Sequence, residues 1–133
     1  MSKYKNKPKL ASSNTGLKIK NIRKSLSKKP IVRDVSIVVE RGKAIGLLGQ
    51  NGAGKTTTFY MTMGLVNPDG GEIYLDDNDI TALPMYRRAR LGLGYLPQQP
   101  SIFRGLSVED NIYSILETQK HTSDQIKNLL EEL

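Results

Sequence analysis

The sequence predicts an α/β fold, on three neighbouring observations. Lys43 to Leu48 is a short apolar run ending at a glycine, as expected of a strand buried on both faces. Gly49-Gln50-Asn51-Gly52-Ala53-Gly54-Lys55-Thr56 follows at once and matches the pattern G-x-x-x-x-G-K-[ST]. Lys55 to Val66 then reads as a helix, stopped by the turn residues Asn67-Pro68-Asp69-Gly70-Gly71. A strand, a glycine-rich loop and a helix, in that order, let the backbone curl round an anion at a helix N-terminus.

The remaining elements follow from local pattern. Met1 to Thr15 is rich in Lys, Ser, Asn and Pro without apolar periodicity, so residues 1–16 are expected to be a disordered basic extension and 17–133 the folded domain. Leu17, Ile19 and Ile22 begin a first strand, and the β-branched series from Ile31 to Glu40 makes a second, closed by a turn at Arg41-Gly42. After the loop and its helix, Glu72 to Leu75 is a further short strand. Thr81 is expected to cap a helix running through Pro84 to Leu91, with Arg87, Arg88 and Arg90 facing solvent. Gly92 to Leu96 reads as a strand leading into Pro97-Gln98-Gln99-Pro100. Ser107 with Asp110, and Thr122 with Gln125, have capping-box spacing. The helices they open carry the stripes Ile112, Ile115, Leu116 and Ile126, Leu129, Leu130, Leu133.

Composition narrows the function classes. Hydrophobic residues are 38% of the 133, enough for one core and too many for general disorder. The absence of cysteine excludes a disulfide framework and a thiolate metal site, and agrees with a reducing compartment. Apolar stretches such as Ala44 to Leu48 fall far short of the roughly 20 residues of a spanning helix. The net charge of +7 is concentrated at the front: residues 1–30 hold ten Lys/Arg and no acid, whereas 31–133 hold ten Lys/Arg and thirteen Asp/Glu. That front reads first as a solvated tail, with anionic lipid or nucleic acid as alternative partners.

The glycine loop carries the chemistry. Its curled main chain directs successive N–H groups inward, so Gly49, Asn51, Gly52, Ala53 and Gly54 are the expected phosphate-binding positions. Lys55 reaches the β- and γ-phosphates of ATP, the Thr56 hydroxyl takes a place on Mg2+, and Thr57 adds an α-phosphate contact. A phosphate loop alone does not choose among kinases, GTPases and transport ATPases.

The surrounding residues choose. Gly46 to Thr57, with Asn-Gly-Ala-Gly-Lys at its centre, resembles the loop of ABC transporter nucleotide-binding subunits, and Tyr95-Leu96-Pro97-Gln98 stands where that family has its Q-loop glutamine. The resemblance implies a P-loop fold of ABC type in which this sequence supplies the N-terminal part: an antiparallel β portion and the start of a parallel core sheet. It makes Gln98 a catalytic sensor of magnesium and the attacking water, linked to a transmembrane partner. Thr56 to Met61, Asp76 to Thr81, Leu83-Pro84-Met85, Arg88-Ala89-Arg90, Gly94 to Gln98 and Ser101-Ile102-Phe103-Arg104 are similar, more narrowly, to the lipopolysaccharide-export ATPases. That likeness implies a homodimer on the cytoplasmic face of the bacterial inner membrane, driving permease subunits of LptF and LptG type. Phe103 and Arg104 then line the groove for the permease coupling helices, with simple core packing as the other reading of Phe103.

Three departures qualify the resemblance. Gln50 stands where proline is usual, and Leu26 where the family has an aromatic that stacks on adenine, leaving Leu26 an apolar contact for the base. No Leu-Ser-Gly-Gly signature, Walker B Asp-Glu or switch histidine occurs up to Leu133, and His121 reads as a surface residue. Without those carboxylates, hydrolysis by these residues alone is not expected, and the sequence reads as a fragment. The competing readings are a complete, non-catalytic nucleotide-binding module and a lipid or nucleic-acid binder acting through the basic front.

Overall fold

The computed structural model describes residues 15–119 and 121–132. The expected extension therefore lies outside the described residues except for Thr15 and Gly16. The chain divides into two compact units, Met1–Tyr95 and Leu96–Leu133.

The first unit is built on an antiparallel sheet. Strand β1 (Leu17–Leu26) pairs with β2 (Lys29–Val39) on one side and β3 (Gly70–Leu75) on the other, and the two-residue β4 (Asn78–Asp79) completes the order β2-β1-β3-β4. The apolar spacing of β1 is two residues from Leu17 to Ile19 and then three to Ile22, which a regular strand would send to opposite faces. A bulge resolves this. Ile19 pairs with Ile37 and Ile22 with Val35, so three steps of β1 match two of β2, and the chain turns at Asn21 with φ +48°. Ile19 and Ile22 thereby share one buried face with Val32, Ile73, Leu75 and Ile80.

The β3–β4 hairpin was not signalled by hydrophobic pattern. Its turn residues Asp76 and Asp77 both take positive φ, the geometry of a tight two-residue hairpin. Asp76 ties this turn to the start of β1: its Oδ1 accepts from the Gly16 N–H at 2.9 Å, its own N–H donates to Gly16 O, and its carboxylate pairs with Arg41. These bonds, Arg41 first and the Gly16 amide second, hold the Asp76 carboxyl below its usual range and raise the Arg41 guanidinium above its own.

Helix α1 (Lys55–Met63) lies against β1 and β2 and buries Thr58, Met61, Thr62 and Met63. It stops earlier than the expected Val66 because Gly64 adopts the left-handed conformation, φ +78°, and its N–H returns to Met61 O.

Four expectations fail here. The run Lys43 to Leu48 is not a strand: it pairs with no described strand, and Leu48 is 94% exposed. Gly92 to Leu96, which crosses the division between the units, is likewise irregular, with Leu96 93% exposed. An apolar run becomes a strand only where a neighbouring strand takes up its N–H and C=O groups, and neither run has such a strand among the described residues. Thr81 does not cap helix α2 (Met85–Arg90), whose N-cap is Pro84. Its hydroxyl instead bonds Asp79 Oδ1 at 2.6 Å and accepts from the Ile73 N–H at 2.8 Å, tying the loop to β3. Arg88, expected in solvent, is fully buried.

The second unit contains helix α3 (Val108–Glu117) and helix α4 (Ser123–Glu131), which pack together. Both expected capping boxes form: Ser107 with Asp110 and Thr122 with Gln125 exchange side-chain and backbone bonds. Ile126 is the buried residue of α4.

Candidate functional site

The glycine loop is shaped by two left-handed residues. Gly52 and Gly54 have φ of +81° and +90°, and the Ala53 N–H turns back to Gln50 O at 3.1 Å. Gly54 is buried because it presses on β2: a Cβ there would stand 2.8 Å from Ile31 O and 3.0 Å from Val32 Cγ2. Position 52 faces open space. The sheet thus sets the height of the loop at its second glycine while the first leaves the rim open.

Helix α1 starts from Gly54 with no side-chain cap and no acidic residue in its first turn. Its leading N–H groups, which have no intrahelical acceptor, are left to an outside acceptor, and the helix dipole favours a negative one. Lys55 extends across the loop, donating from Nζ to Gly49 O at 2.5 Å and Gln50 O at 2.7 Å. Thr56 is exposed at the first turn and Thr57 half-buried beside it. Thr58, two residues after the motif, is buried, and its hydroxyl donates to Gly54 O at 3.0 Å. Main-chain donors, an uncapped helix start, one ammonium group and one exposed hydroxyl fit a nucleotide triphosphate with magnesium.

The other candidates stand as follows. Leu26 is 52% exposed at the end of β1, beside the Ser27-Lys28 hairpin turn. Gln98 belongs to the second unit and is exposed in a bend. Phe103 is 63% exposed, and Arg104 is exposed beside it. Phe103 borders an apolar groove of about 310 Å³ between the 101–103 segment and α3, lined also by Ile102, Ile112, Ile115 and Leu116.

Two residues that the sequence reading missed hold these features in place. Asn111 clamps the segment carrying Phe103: its Oδ1 accepts from the Phe103 N–H at 2.8 Å, and its Nδ2 donates to Phe103 O at 3.1 Å and Ser107 O at 2.9 Å. Arg88 lies beneath the far end of α1, donating to Met61 O at 2.8 Å, Thr62 O at 2.6 Å, Leu83 O at 2.8 Å and Thr81 O at 2.9 Å. Burial pushes its guanidinium below the usual arginine value, with the charge of Asp79 opposing. Helical spacing carried the signal for Arg88, which stands three residues from both half-buried Met85 and half-buried Leu91. The clamp by Asn111 had no sequence signal beyond its place after a capping box.

Comparison with known proteins adds the following. The sequence family described as "ABC transporter" matches residues 32–133. A "Probable ABC transporter ATP-binding protein" of Azorhizobium caulinodans is 60% identical over 113 residues, which are 82% of this chain and 40% of that protein. The "Lipopolysaccharide export system ATP-binding protein LptB" of Acidithiobacillus ferridurans is 59% identical over 102 residues, 77% of this chain and 42% of that one. The chain thus spans less than half the length of these two curated relatives. A solved structure of an ATP-binding subunit of an ABC transporter superposes with a TM-score of 0.71 at 26% identity, covering 83% of this chain and 45% of that one.

Proposed function

This chain belongs to the ABC transporter family, and from that membership we propose that it provides the phosphate-gripping part of an ATP-binding subunit that powers lipopolysaccharide extraction from the bacterial inner membrane. The observation that carries the reading is the loop itself: two left-handed glycines, one seated on β2, delivering an uncapped helix start beneath Lys55. In this reading the amides of Gly49 and Asn51 to Gly54 hold phosphate oxygens, and Lys55 leaves its loop carbonyls to neutralise the β- and γ-phosphates. Thr56 offers its hydroxyl to magnesium, Thr57 reaches the α-phosphate and Leu26 gives the base an apolar contact. Bound ATP with magnesium supplies the phosphoryl group whose hydrolysis drives transport.

Gln98 is assigned the sensing of magnesium and water, and Phe103 with Arg104 the reception of permease coupling helices of LptF and LptG type. The exposure of Phe103 and the apolar groove beside it support that assignment. Lipopolysaccharide as cargo rests on likeness to the Acidithiobacillus ferridurans protein. A homodimer on the cytoplasmic face of the membrane completes the proposal, and among the described residues no helix is long and apolar enough to cross a bilayer. Turnover is assigned to the assembly rather than to these residues alone. Water activation needs a positioned base, and neither the loop nor the first turn of α1 holds a carboxylate.

Titration of a fluorescent ATP analogue, with and without magnesium, tests the grip, and a saturable signal competed by ATP is expected. No saturation under either condition refutes the site. Co-purification of a permease pair, with ATP-dependent release of lipopolysaccharide from vesicles, tests the cargo. Release of phospholipid in preference to lipopolysaccharide overturns that part alone.

A further inference from the structure

Among the described residues Arg88 is a buried cation with no carboxylate in salt-bridge contact: four hydrogen bonds end on main-chain oxygens, and Asp79 acts on it through its charge. A guanidinium is the side chain suited to this, since its planar fork presents five N–H donors in fixed directions. The charge is offset by the carbonyl end of α1, where the helix dipole is negative and the last C=O groups lack intrahelical donors. Two of the four acceptors, Met61 O and Thr62 O, belong to that end, and the other two belong to the Thr81–Leu83 segment leading into α2. Gly64 passes directly over the guanidinium, where a Cβ would lie 2.8 Å from Arg88 Nε and 2.8 Å from Leu83 O. Helix end, connecting loop and α2 are thus keyed to a single planar group.

The nine residues of α1 put its two ends roughly 13 Å apart. Its first end belongs to the phosphate loop, and its last is held by Arg88. A short helix fixed at one end only can tilt and rotate, moving its leading N–H groups off the phosphate oxygens. We propose that Arg88 is a positioning residue for nucleotide binding, setting the axial position and rotation of α1 through the Met61 and Thr62 carbonyls. This inference rests on the reading of the glycine loop as a phosphate site.

The test uses the intact protein and its Arg88→Met, Arg88→Lys and Arg90→Met variants. ATP affinity is measured by fluorescent-nucleotide competition at a temperature where circular dichroism shows each variant folded. Arg88→Met keeps the apolar stem and loses every donor, and ATP affinity is expected to fall by about tenfold, the worth of weakening one amide–phosphate hydrogen bond at the leading end of α1. Arg88→Lys, which regains some donors without the fork, is expected to lie between. Arg90→Met, whose side chain rests on the exposed Tyr86 ring, is expected to match the parent. A folded Arg88→Met protein with parental affinity overturns the proposal.

The parent protein carries the test if that variant does not fold. The Nε–H resonance of Arg88, bonded to Leu83 O, is expected to shift on addition of ATP with magnesium, and an unmoved resonance at saturation overturns the proposal. A parent that binds no nucleotide refutes the phosphate reading itself, an outcome distinct from a parent that binds while Arg88→Met binds equally well.

Discussion

Alanine at the two left-handed glycines of the loop separates conformational strain from steric clash. Gly52 and Gly54 have nearly the same φ, +81° and +90°, so a Cβ at either should bring a similar left-handed penalty of about 1–2 kcal/mol. At position 52 the new methyl meets nothing within 4 Å, and the cost ends there. At position 54 it meets the main-chain Ile31 O at 2.8 Å, near the start of β2, where no rotamer change can relieve the contact. Overpacking of that kind adds about 1–3 kcal/mol. Gly54→Ala should therefore be the more destabilising by that increment, which at a urea slope of about 1–3 kcal/mol/M separates the two midpoints by roughly 1 M. Urea unfolding followed by far-ultraviolet circular dichroism measures it. Coincident midpoints, or a lower one for Gly52→Ala, would refute the claim that the sheet fixes the loop at its second glycine.

Lys55→Ala should weaken ATP binding by roughly 10- to 150-fold, the worth of a charged hydrogen bond, while Gln98→Ala leaves affinity near the parental value; isothermal titration of both decides the assignment. Asp76→Asn should lower stability at neutral pH and flatten its acid dependence. The Asp76 carboxyl is held below its ordinary value by Arg41 and then by the Gly16 amide. Its contribution is therefore complete above about pH 3.9 and is lost as the pH falls through the folded-state value. Urea midpoints from neutral pH downwards should converge for parent and variant in acid, and parallel curves would contradict the argument. Asp69, held low by Lys24 and then by the Ser25 amide, contributes in the same direction to both proteins. Asn111→Ala should abolish permease co-purification with ATP affinity unchanged, because it frees the Phe103 segment and leaves the glycine loop intact; retained co-purification would show that the clamp does not serve docking.

The strands of the sheet were legible because their signals are local, whereas their antiparallel pairing came from the family resemblance. Spaced apolar residues gave β1, the β-branched series from Ile31 gave β2, the short run from Glu72 gave β3, and the capping boxes gave α3 and α4, since each cap closes within three residues of chain. The runs Lys43 to Leu48 and Gly92 to Leu96 misled because apolar pattern states what a side chain requires, not whether a partner backbone is at hand. Their exposed leucines, Leu48 and Leu96, are the visible consequence. Thr81 misled for a related reason: a hydroxyl ahead of a helix resembles a cap, yet here the Ile73 amide on β3 and the Asp79 carboxylate compete for it.

The glycine loop was legible for the opposite reason to the groups that hold it. Backbone curvature demands glycine, and phosphate binding demands lysine and threonine, so the proposed chemistry shows in the residue types themselves. Anchoring demands no particular letter at a fixed offset. At the start of α1 the constraint is Ile31 O, a main-chain atom twenty-three residues before Gly54 that leaves no room for a Cβ. At the end it is Arg88, twenty-six residues beyond Thr62, bonding only carbonyls. Strained, left-handed backbone persists only where its surroundings over-determine it, and amide donors bind an anion tightly only when they need not be gathered first. On the proposed reading, the affinity of the loop is a property of the sheet on one side of α1 and the guanidinium on the other, and a motif with neither would be a flexible glycine turn.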